Sequence, residues 1–435
     1  MLNFLFTQTP LLFFVQSFWR DEAFTYLLAK QNVFNILVNT AKDFNPPFYY
    51  LLVHFWMKLF GSSEISLRTI SFIFFLLTIY AFYLILRDVM NFPFKKIVAY
   101  LFLAIINPLL LYYAFETRMY TMLAFFATFS SYAFMTKQKR LFLVLTALGL
   151  YTHYFMLFVS LSQILFYFIL HRKRRNRREL IRYFTPIALF IPWILFIFIT
   201  KGLAVDSFWI EKSTLKTFTQ LLGTIFVGYD EGLRFYHKEI VWVSLGLLAF
   251  LGYGFLMIRK RLSSDKTILL YLLLWGVGIP FLIALISFVK PMYFPRYFIF
   301  SAIGFVLLVS FILERLPKIP QAMIYILLVM VSLNFHSQQI KDRKKSDLRK
   351  LIRQAKFVAN PDDVMYVINE LDYFPAQYYF GENRVYIYGK SYEEIPNYVG
   401  KVLIPKLRFV SSLPVYPKKA FILISDSRYE IQSAR

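Results

Sequence analysis

The chain has 435 residues, 58% hydrophobic and 20% aromatic, with no cysteine and a formal net charge of +24. The lack of cysteine excludes disulfides, thiolate metal sites and Cys nucleophiles. A mean hydropathy of +0.53 and apolar blocks as long as a bilayer crossing, such as "SLRTISFIFFLLTIYAFYLIL", exclude an ordinary soluble domain and indicate an all-α polytopic membrane protein.

In chain order, apolar blocks at 2–18, 65–86, 97–113, 119–136, 141–153, 155–170, 181–200, 239–258, 267–289, 298–314 and 319–335 predict about eleven membrane segments. The first is interrupted by the polar "TQTP" and begins at Met1. It reads as a short span or a truncated start rather than a cleaved signal peptide, having neither a basic leader nor a small-residue cleavage site. The loop at 19–64 holds two predicted helices lying along the membrane surface. One is "AFTYLLAKQNVFNILVNTAK"; the other, "PPFYYLLVHFWMKLFG", opens at a Pro pair and stops at Gly61. Trp19, Tyr26, Tyr49, Tyr50 and Trp56 are placed as interfacial anchors.

The basic runs set the orientation. Arg87 with Lys95 and Lys96, "KQKR" (137–140), "HRKRRNRR" (171–178), "RKRLSSDK" (259–266) and "ERLPK" (314–318) alternate with loops of mixed charge. The positive-inside rule makes the basic set and the N-terminus cytoplasmic, and 19–64, 114–118, 201–238 and 290–297 outward-facing. Because the densest basic run lies between two apolar blocks, the charge implies contact with anionic lipid, not nucleic acid.

After residue 336 the composition becomes that of a soluble domain. "SDLRKLIRQAKFV" predicts an amphipathic helix capped by Ser346 or Asp347, and "DVMYVI", "RVYIYG" and "AFILIS" predict strands. The expected organisation is a membrane domain, 1–336, and a small extracytoplasmic α/β domain, 337–435.

Ionisable residues beside membrane segments are functional candidates by default. The outward side collects Asp21 and Glu22 in "SFWRDEAFTY", Asp43 in "AKDFNPPFYY", Glu116 and Arg118 in "YYAFETRMY", His153 in "YTHY" and Arg296 in "KPMYFPRYF". The loop at 201–238 adds Lys201, Asp206, Glu211, Asp230 and Glu231. Such a set suits a reaction in which a carboxylate takes a proton from an attacking hydroxyl while Arg or a metal holds a phosphate carrying lipid and sugar. Each residue also has a plainer reading. Asp21 and Glu22 could cap a helix, Asp43 could end one, Glu116 and Arg118 could clasp each other, His153 could be a bonded turn residue, and Arg296 could snorkel to headgroups.

"FWRDEAFTY", "DFNPPFYYLLVHFWMKLFG", "SEISLRTISF", "YYAFETRMYTML", "YTHYF" and "PRYF" occur in this order. Together they resemble the bacterial dolichyl-phosphate-mannose-protein mannosyltransferase-like group, membrane glycosyltransferases of the GT-C fold related to the lipid A aminoarabinose transferases. The resemblance is strongest over 17–160. It implies a polyprenyl-phosphate sugar donor, a hydroxyl acceptor on protein, lipid or glycan, and inverting transfer at the outer face of the cytoplasmic membrane. It makes Asp21 the expected catalytic base and Glu22 its support. Asp43, Glu116, Arg118, Tyr120, His153, Arg296 and Tyr297 become expected substrate contacts, with Arg296 on the lipid phosphate. A divalent metal, if used, would fall to Glu22 and Asp43. Relatives commonly carry His before the Pro pair; Asn45 stands there in this chain and cannot titrate near neutrality. A transporter or flippase for lipid-linked sugars, kept open by Pro108, Pro192 and Pro280 inside spans, and a surface-polysaccharide polymerase or ligase are the rivals.

Overall fold

A proline without an N–H cannot continue a helix, and Pro10 divides the first apolar block into α1 (Leu2–Gln8) and α2 (Leu12–Val15). The expected single crossing over 2–18 is therefore two short helices. The computed structural model describes residues 2–43, 45–172, 176–201, 210, 212–229, 239–258 and 265–435. Asp206, Glu211, Asp230, Glu231 and the side chain of Lys201, singled out above, lie outside the described residues, as do 173–175 and 259–264 of the basic runs.

The first surface helix also divides, into α3 (Arg20–Ala29) and α4 (Val33–Lys42). The side chain of Asn32 accepts the Asn35 N–H at 2.8 Å and so starts a new helix. The second, α5 (Phe48–Phe60), begins after Pro47 and stops at Gly61, whose φ of 76° needs no Cβ. Next come α6 (Glu64–Leu84), extended by a π-helical turn to Val89, α7 (Phe94–Ile105) and α8 (Pro108–Tyr113). The α7–α8 break falls at Asn107, whose side chain caps Leu110 N and donates to Phe226 O at 2.7 Å. The bundle continues through α9 (Tyr120–Met135), α10 (Lys139–Leu150), α11 (Met156–Leu170), α12 (Arg177–Lys201), α13 (Leu215–Val227) and α14 (Ile240–Ile258). A π-helical turn, Leu274–Gly278, joins α15 (Lys266–Leu273) to α16 (Ile279–Ile286). The 3-10 turn Pro295–Phe298 leads into α17 (Ile299–Leu313), and α18 (Lys318–Asp342) follows.

Among the described residues six helices are long and apolar enough to cross a membrane alone: Glu64–Val89, Arg177–Thr200, Ile240–Ile258, Lys266–Ile286, Pro295–Leu313 and Lys318–Asp342. The other expected spans appear as shorter or broken helices, so the sequence-based number of eleven is not reproduced. An unexpected element is α13, whose apolar face is buried in the core within what read as an outer loop. The central helix is α17, its apolar stretch 94% buried, whereas α12 and α18 are 22% buried and present Leu, Ile and Phe outward, as lipid-facing helices do.

Helix α18 runs past the expected boundary at 336, because His336 and Gln339 bond to the carbonyls of Ile106 and Pro108 where α7 gives way to α8. After it come α19 (Leu348–Val358), capped by Asp347, β1 (Val364–Val367), α20 (Tyr373–Tyr379), β2 (Val385–Tyr388), β3 (Phe409–Val410), β4 (Ala420–Ser425) and β5 (Arg428–Gln432). The sheet order is β3-β2-β1-β4-β5, parallel except for β5. The three expected strands are β1, β2 and β4.

Helix α3 is not a surface helix. Its N-terminal half is buried between the bundle and the C-terminal domain, where Phe24 packs on Phe374 at 5.4 Å and Tyr26 on Tyr378 at 4.9 Å. Tyr49 and Tyr50, expected at the lipid interface, are fully buried and bond inward, near Ser71 and Arg118.

Candidate active site

Trp19 precedes α3 without a side-chain cap, so Asp21 and Glu22 are first-turn acids, where the helix dipole favours negative charge. Adjacent helical residues point about 100° apart, and the two carboxylates accordingly meet different partners. Glu22 is 0% exposed and fully engaged. Arg68 of α6 donates from Nε to Oε1 and from Nη2 to Oε2, both at 2.7 Å. Lys345 Nζ donates to Oε2 at 2.8 Å and the Thr117 N–H to Oε1 at 3.0 Å. Arg68 is pinned in turn by the carbonyls of Phe14, Gln16 and Ser17. Burial alone would raise the Glu22 pKa, but Arg68 and Lys345 outweigh it and lower it to about 2.

Asp21, 7% exposed, accepts from Arg20 Nε on Oδ1 at 3.0 Å and from Arg296 Nη1 on Oδ2 at 3.2 Å. Burial opposes ionisation here too, yet Arg20, Arg118 and Arg296 together hold the carboxyl well below the usual carboxylate range. Arg118 does not clasp Glu116. Its Nη1 approaches the Asp21 carbonyl, Thr25 Oγ1 and Tyr50 OH at 3.4–3.5 Å. Arg296 lies over the rings of Phe294, Tyr120 and Tyr297, with 4.9, 5.5 and 5.7 Å from guanidinium carbon to ring centre.

Glu116 sits in the turn between α8 and α9, 2% exposed, and among the described residues its Oε1 has no hydrogen-bond partner. Burial pushes its pKa up to about 7; Glu22 and Asp21 reinforce the rise, while Lys345 and Arg296 work against it. His153 is the bonded turn residue of the plainer reading: its Nδ1 accepts the Phe155 N–H at 3.1 Å. Burial, reinforced by Arg118 and Arg296, lowers it to about 3, which keeps the ring neutral. Its ring lies tilted against those of Tyr120 and Tyr297, with centroids 6.1 and 5.7 Å away. Asp43 ends α4, half-buried, and accepts from Asn45 Nδ2 at 2.7 Å, so the Asn that stands in the His position holds this acid.

The structure thus brings Asp21, Glu22, Glu116, Arg118, Tyr120, His153, Arg296 and Tyr297 to one buried cluster. Sequence reasoning passed over Arg20, Tyr50, Arg68 and Lys345. An Arg such as Arg68 inside an apolar block was a usable signal; Lys345, one of several bases in "KDRKK", gave none. Of the two expected metal ligands, Glu22 is engaged by Arg68, Lys345 and the Thr117 N–H, and Asp43 by Asn45. Among the described residues no group of three or more His, Asp or Glu forms a metal-ligand set.

Residues 45–198 match the family model for dolichyl-phosphate-mannose-protein mannosyltransferases. That range holds Glu116, Arg118, Tyr120 and His153 but not the α3 acids or Arg296. No curated protein sequence gave a match. Two solved structures share the fold. One is ArnT from Cupriavidus metallidurans in the apo state, 12% identical, covering 95% of this chain and 90% of that one with a TM-score of 0.63. The other is the same protein bound to undecaprenyl phosphate, also 12% identical, covering 95% and 91% with a TM-score of 0.64. The chain has an ArnT-like GT-C fold.

Proposed function

We propose that the protein transfers a sugar from a polyprenyl-phosphate carrier to a hydroxyl of a protein, lipid or glycan acceptor, with inversion, at the outer face of the cytoplasmic membrane. The N-terminus and the basic loops would then be cytoplasmic. One observation carries the reading. In the buried cluster five cations, Arg20, Arg68, Arg118, Arg296 and Lys345, face three carboxyls, Asp21, Glu22 and Glu116, an excess of two positive charges. Among the described residues, the buried donors Arg20 Nη1 and Arg118 Nε have no partner. A lipid-phosphate sugar is a phosphodiester with one negative charge. As the bond to the anomeric carbon breaks, the departing phosphate approaches two. A preorganised excess of two positive charges therefore favours the transition state over the bound donor. The likeness to ArnT bound to undecaprenyl phosphate supports the same ligand class.

In this reading Asp21 is the base that takes the proton from the acceptor hydroxyl. With an arginine on each oxygen it anchors Arg20 and Arg296 toward the phosphate. Tyr120 and Tyr297 wall the space around Arg296. The transporter reading calls for charge along the middle of the spans, whereas these ions gather where α3, the 114–119 turn and the 290–297 segment meet.

The test is transfer by the purified chain from a panel of polyprenyl-phosphate sugars, read by mass spectrometry of lipid and product. Arg296→Gln is expected to lower kcat/KM for the donor by about 100-fold, and chelators to leave the wild-type rate unchanged. Failure of the wild-type chain to release polyprenyl phosphate from any donor would overturn the reading.

A further inference from the structure

Strand β5 ends the C-terminal sheet. Among the described residues it pairs with β4 alone, and the Val415–Ala434 bridge lies beyond its last residue. An open edge of five residues is a template for another extended chain, whereas β3, at the opposite edge, has only two. Beside β5 runs a groove of about 590 Å³, lined by Lys350, Arg353, Gln354, Phe357 and Val358 of α19 and by Tyr429 of β5. Helix α19 turns Leu348, Ile352 and Ala355 into the domain. Phe357 stands on its opposite side, 90% exposed, with Val358 beside it at 55%. Ile431, on the same sheet face as Tyr429, is half exposed. Apolar side chains gathered in this way at a strand edge mark a surface that something covers.

The groove is also cationic. Arg349 is committed to Glu64, and Asp347, on the rim, caps α19 by accepting the Lys350 N–H. Among the described residues Lys350 and Arg353 form no ion pair, which leaves positive charge for a partner to meet. At about 100° per residue, Arg349 and Lys356 share one flank of α19. Arg349 reaches Glu64 at the start of α6, and Lys356 the carbonyl of Tyr379, whose hydroxyl donates to the same Glu64. Phe357, Lys350 and Gln354 lie about 90–150° further round, on the side turned away from α6. That direction disfavours a lipid surface as the occupant. A second copy of the chain would bring a groove of like charge.

We propose that the groove between α19 and β5 docks an extended, acidic polypeptide segment, which adds a sixth strand to the five-stranded sheet along β5. Strand addition takes up the open backbone groups of β5. Side chains alternate between the two faces of a strand, so every second residue of the docked segment meets the α19 flank. There its carboxylates pair with Lys350 and Arg353, and its apolar side chains cover Phe357, Val358 and Tyr429. The inference stands apart from the transfer reaction, because none of these residues belongs to the buried cluster.

The experiment uses the full chain in nanodiscs of zwitterionic lipid and short fluorescein-labelled peptides, read by fluorescence anisotropy. A peptide alternating valine and glutamate is expected to bind saturably, and about tenfold or more tighter than its valine–lysine counterpart. Lys350→Glu combined with Arg353→Glu is expected to weaken that binding by about tenfold or more. N-methylation of alternate peptide amides keeps the charge but blocks strand pairing, and is expected to abolish binding with the protein unaltered. No binding of the acidic peptide, or equal binding of its N-methylated form, overturns the proposal. The chain has no cysteine, so Phe357→Cys can carry a single bimane label. Quenching of that label by spin-labelled lipid in peptide-free nanodiscs gives the surface to the membrane. Self-association that the paired charge reversals abolish gives it to a second copy. Either result overturns the proposal as well.

Discussion

A carboxyl whose native pKa lies above its ordinary value binds its proton more tightly folded than unfolded, so ionising it costs stability. For Glu116 the two values are about 7 and 4.5. Stability from this group is therefore full below pH 4.5, falls as pH rises through the interval, and is flat above about 7. The loss is on the order of 3 kcal/mol. Glu116→Gln removes the slope, so its unfolding midpoint, followed by tryptophan fluorescence in detergent, is expected to gain on wild type between pH 4.5 and 8. Parallel curves would mean that Glu116 finds a partner in solution. The contrast among the three acids explains what the sequence could convey. Asp21, Glu22, Glu116 and Arg296 are visible as candidates because a charge at the end of an apolar block is rare. Which acid is engaged and which is open depends on partners 46, 95, 275 and 323 residues away, namely Arg68, Thr117 and Lys345 for Glu22 and Arg296 for Asp21. No local pattern records those distances.

Helices carry these side chains, and one close helix contact lies along α17, the helix that follows Arg296. The α15–α16 pair approaches α17 at two glycines. A Cβ on Gly304 would lie 2.6 Å from Trp275 Cδ2, and one on Gly276 would lie 2.7 Å from the Phe305 nitrogen. Small residues at such crossings let membrane helices pack backbone to backbone. Trp275 cannot swing aside, being fully buried with its Nε1 donating to the Phe300 carbonyl at 2.9 Å and its own carbonyl accepting from Ser301 Oγ at 2.9 Å. Gly304→Val is expected to cost about 1–3 kcal/mol by overpacking and, by displacing the start of α17, to raise donor KM. Gly252→Ala, with open space at its Cβ, should leave both thermal midpoint and KM unchanged. Equal effects at both positions would refute the close-packing account. Long periodic elements such as α6, α14 and α17 were readable from hydropathy. Breaks were missed where one residue decides, at Pro10, Asn32 and Asn107. Helix α13 was missed because its thirteen residues are too few to read as a span. Strands β3, two residues long, and β5, with only Tyr429 and Ile431 apolar among its five residues, carry too little apolar pattern to be seen.

At the scale of the whole molecule, the C-terminal domain is part of the frame that holds α3. Tyr379 OH accepts the Phe18 N–H at 2.7 Å and donates to Glu64 Oε1 at 2.9 Å. Arg349 donates to Glu64 Oε1 and to the Val15 carbonyl, both at 3.2 Å. Ser17 Oγ donates to the Ser346 carbonyl at 2.7 Å, and Glu382 accepts from Lys30 Nζ at 2.6 Å and Tyr26 OH at 3.1 Å. Gly400 lies against the Phe24 ring so closely that a Cβ would come within 2.6 Å. These contacts grip residues 15–30 along the length that carries Asp21 and Glu22, and Lys345 extends the grip into the cluster. Tyr379→Phe removes a hydroxyl serving two groups at once and strands the Phe18 N–H, a loss of about 1–3 kcal/mol. If docking of the domain is in equilibrium with release, that loss raises the released population about 5- to 150-fold. Tryptic cleavage within 343–350 should then accelerate by the same factor, and kcat should fall with it as α3 loses its support. Faster cleavage at unchanged kcat would show the domain to be a passive neighbour; faster cleavage with a fall in kcat places the domain within the catalytic frame.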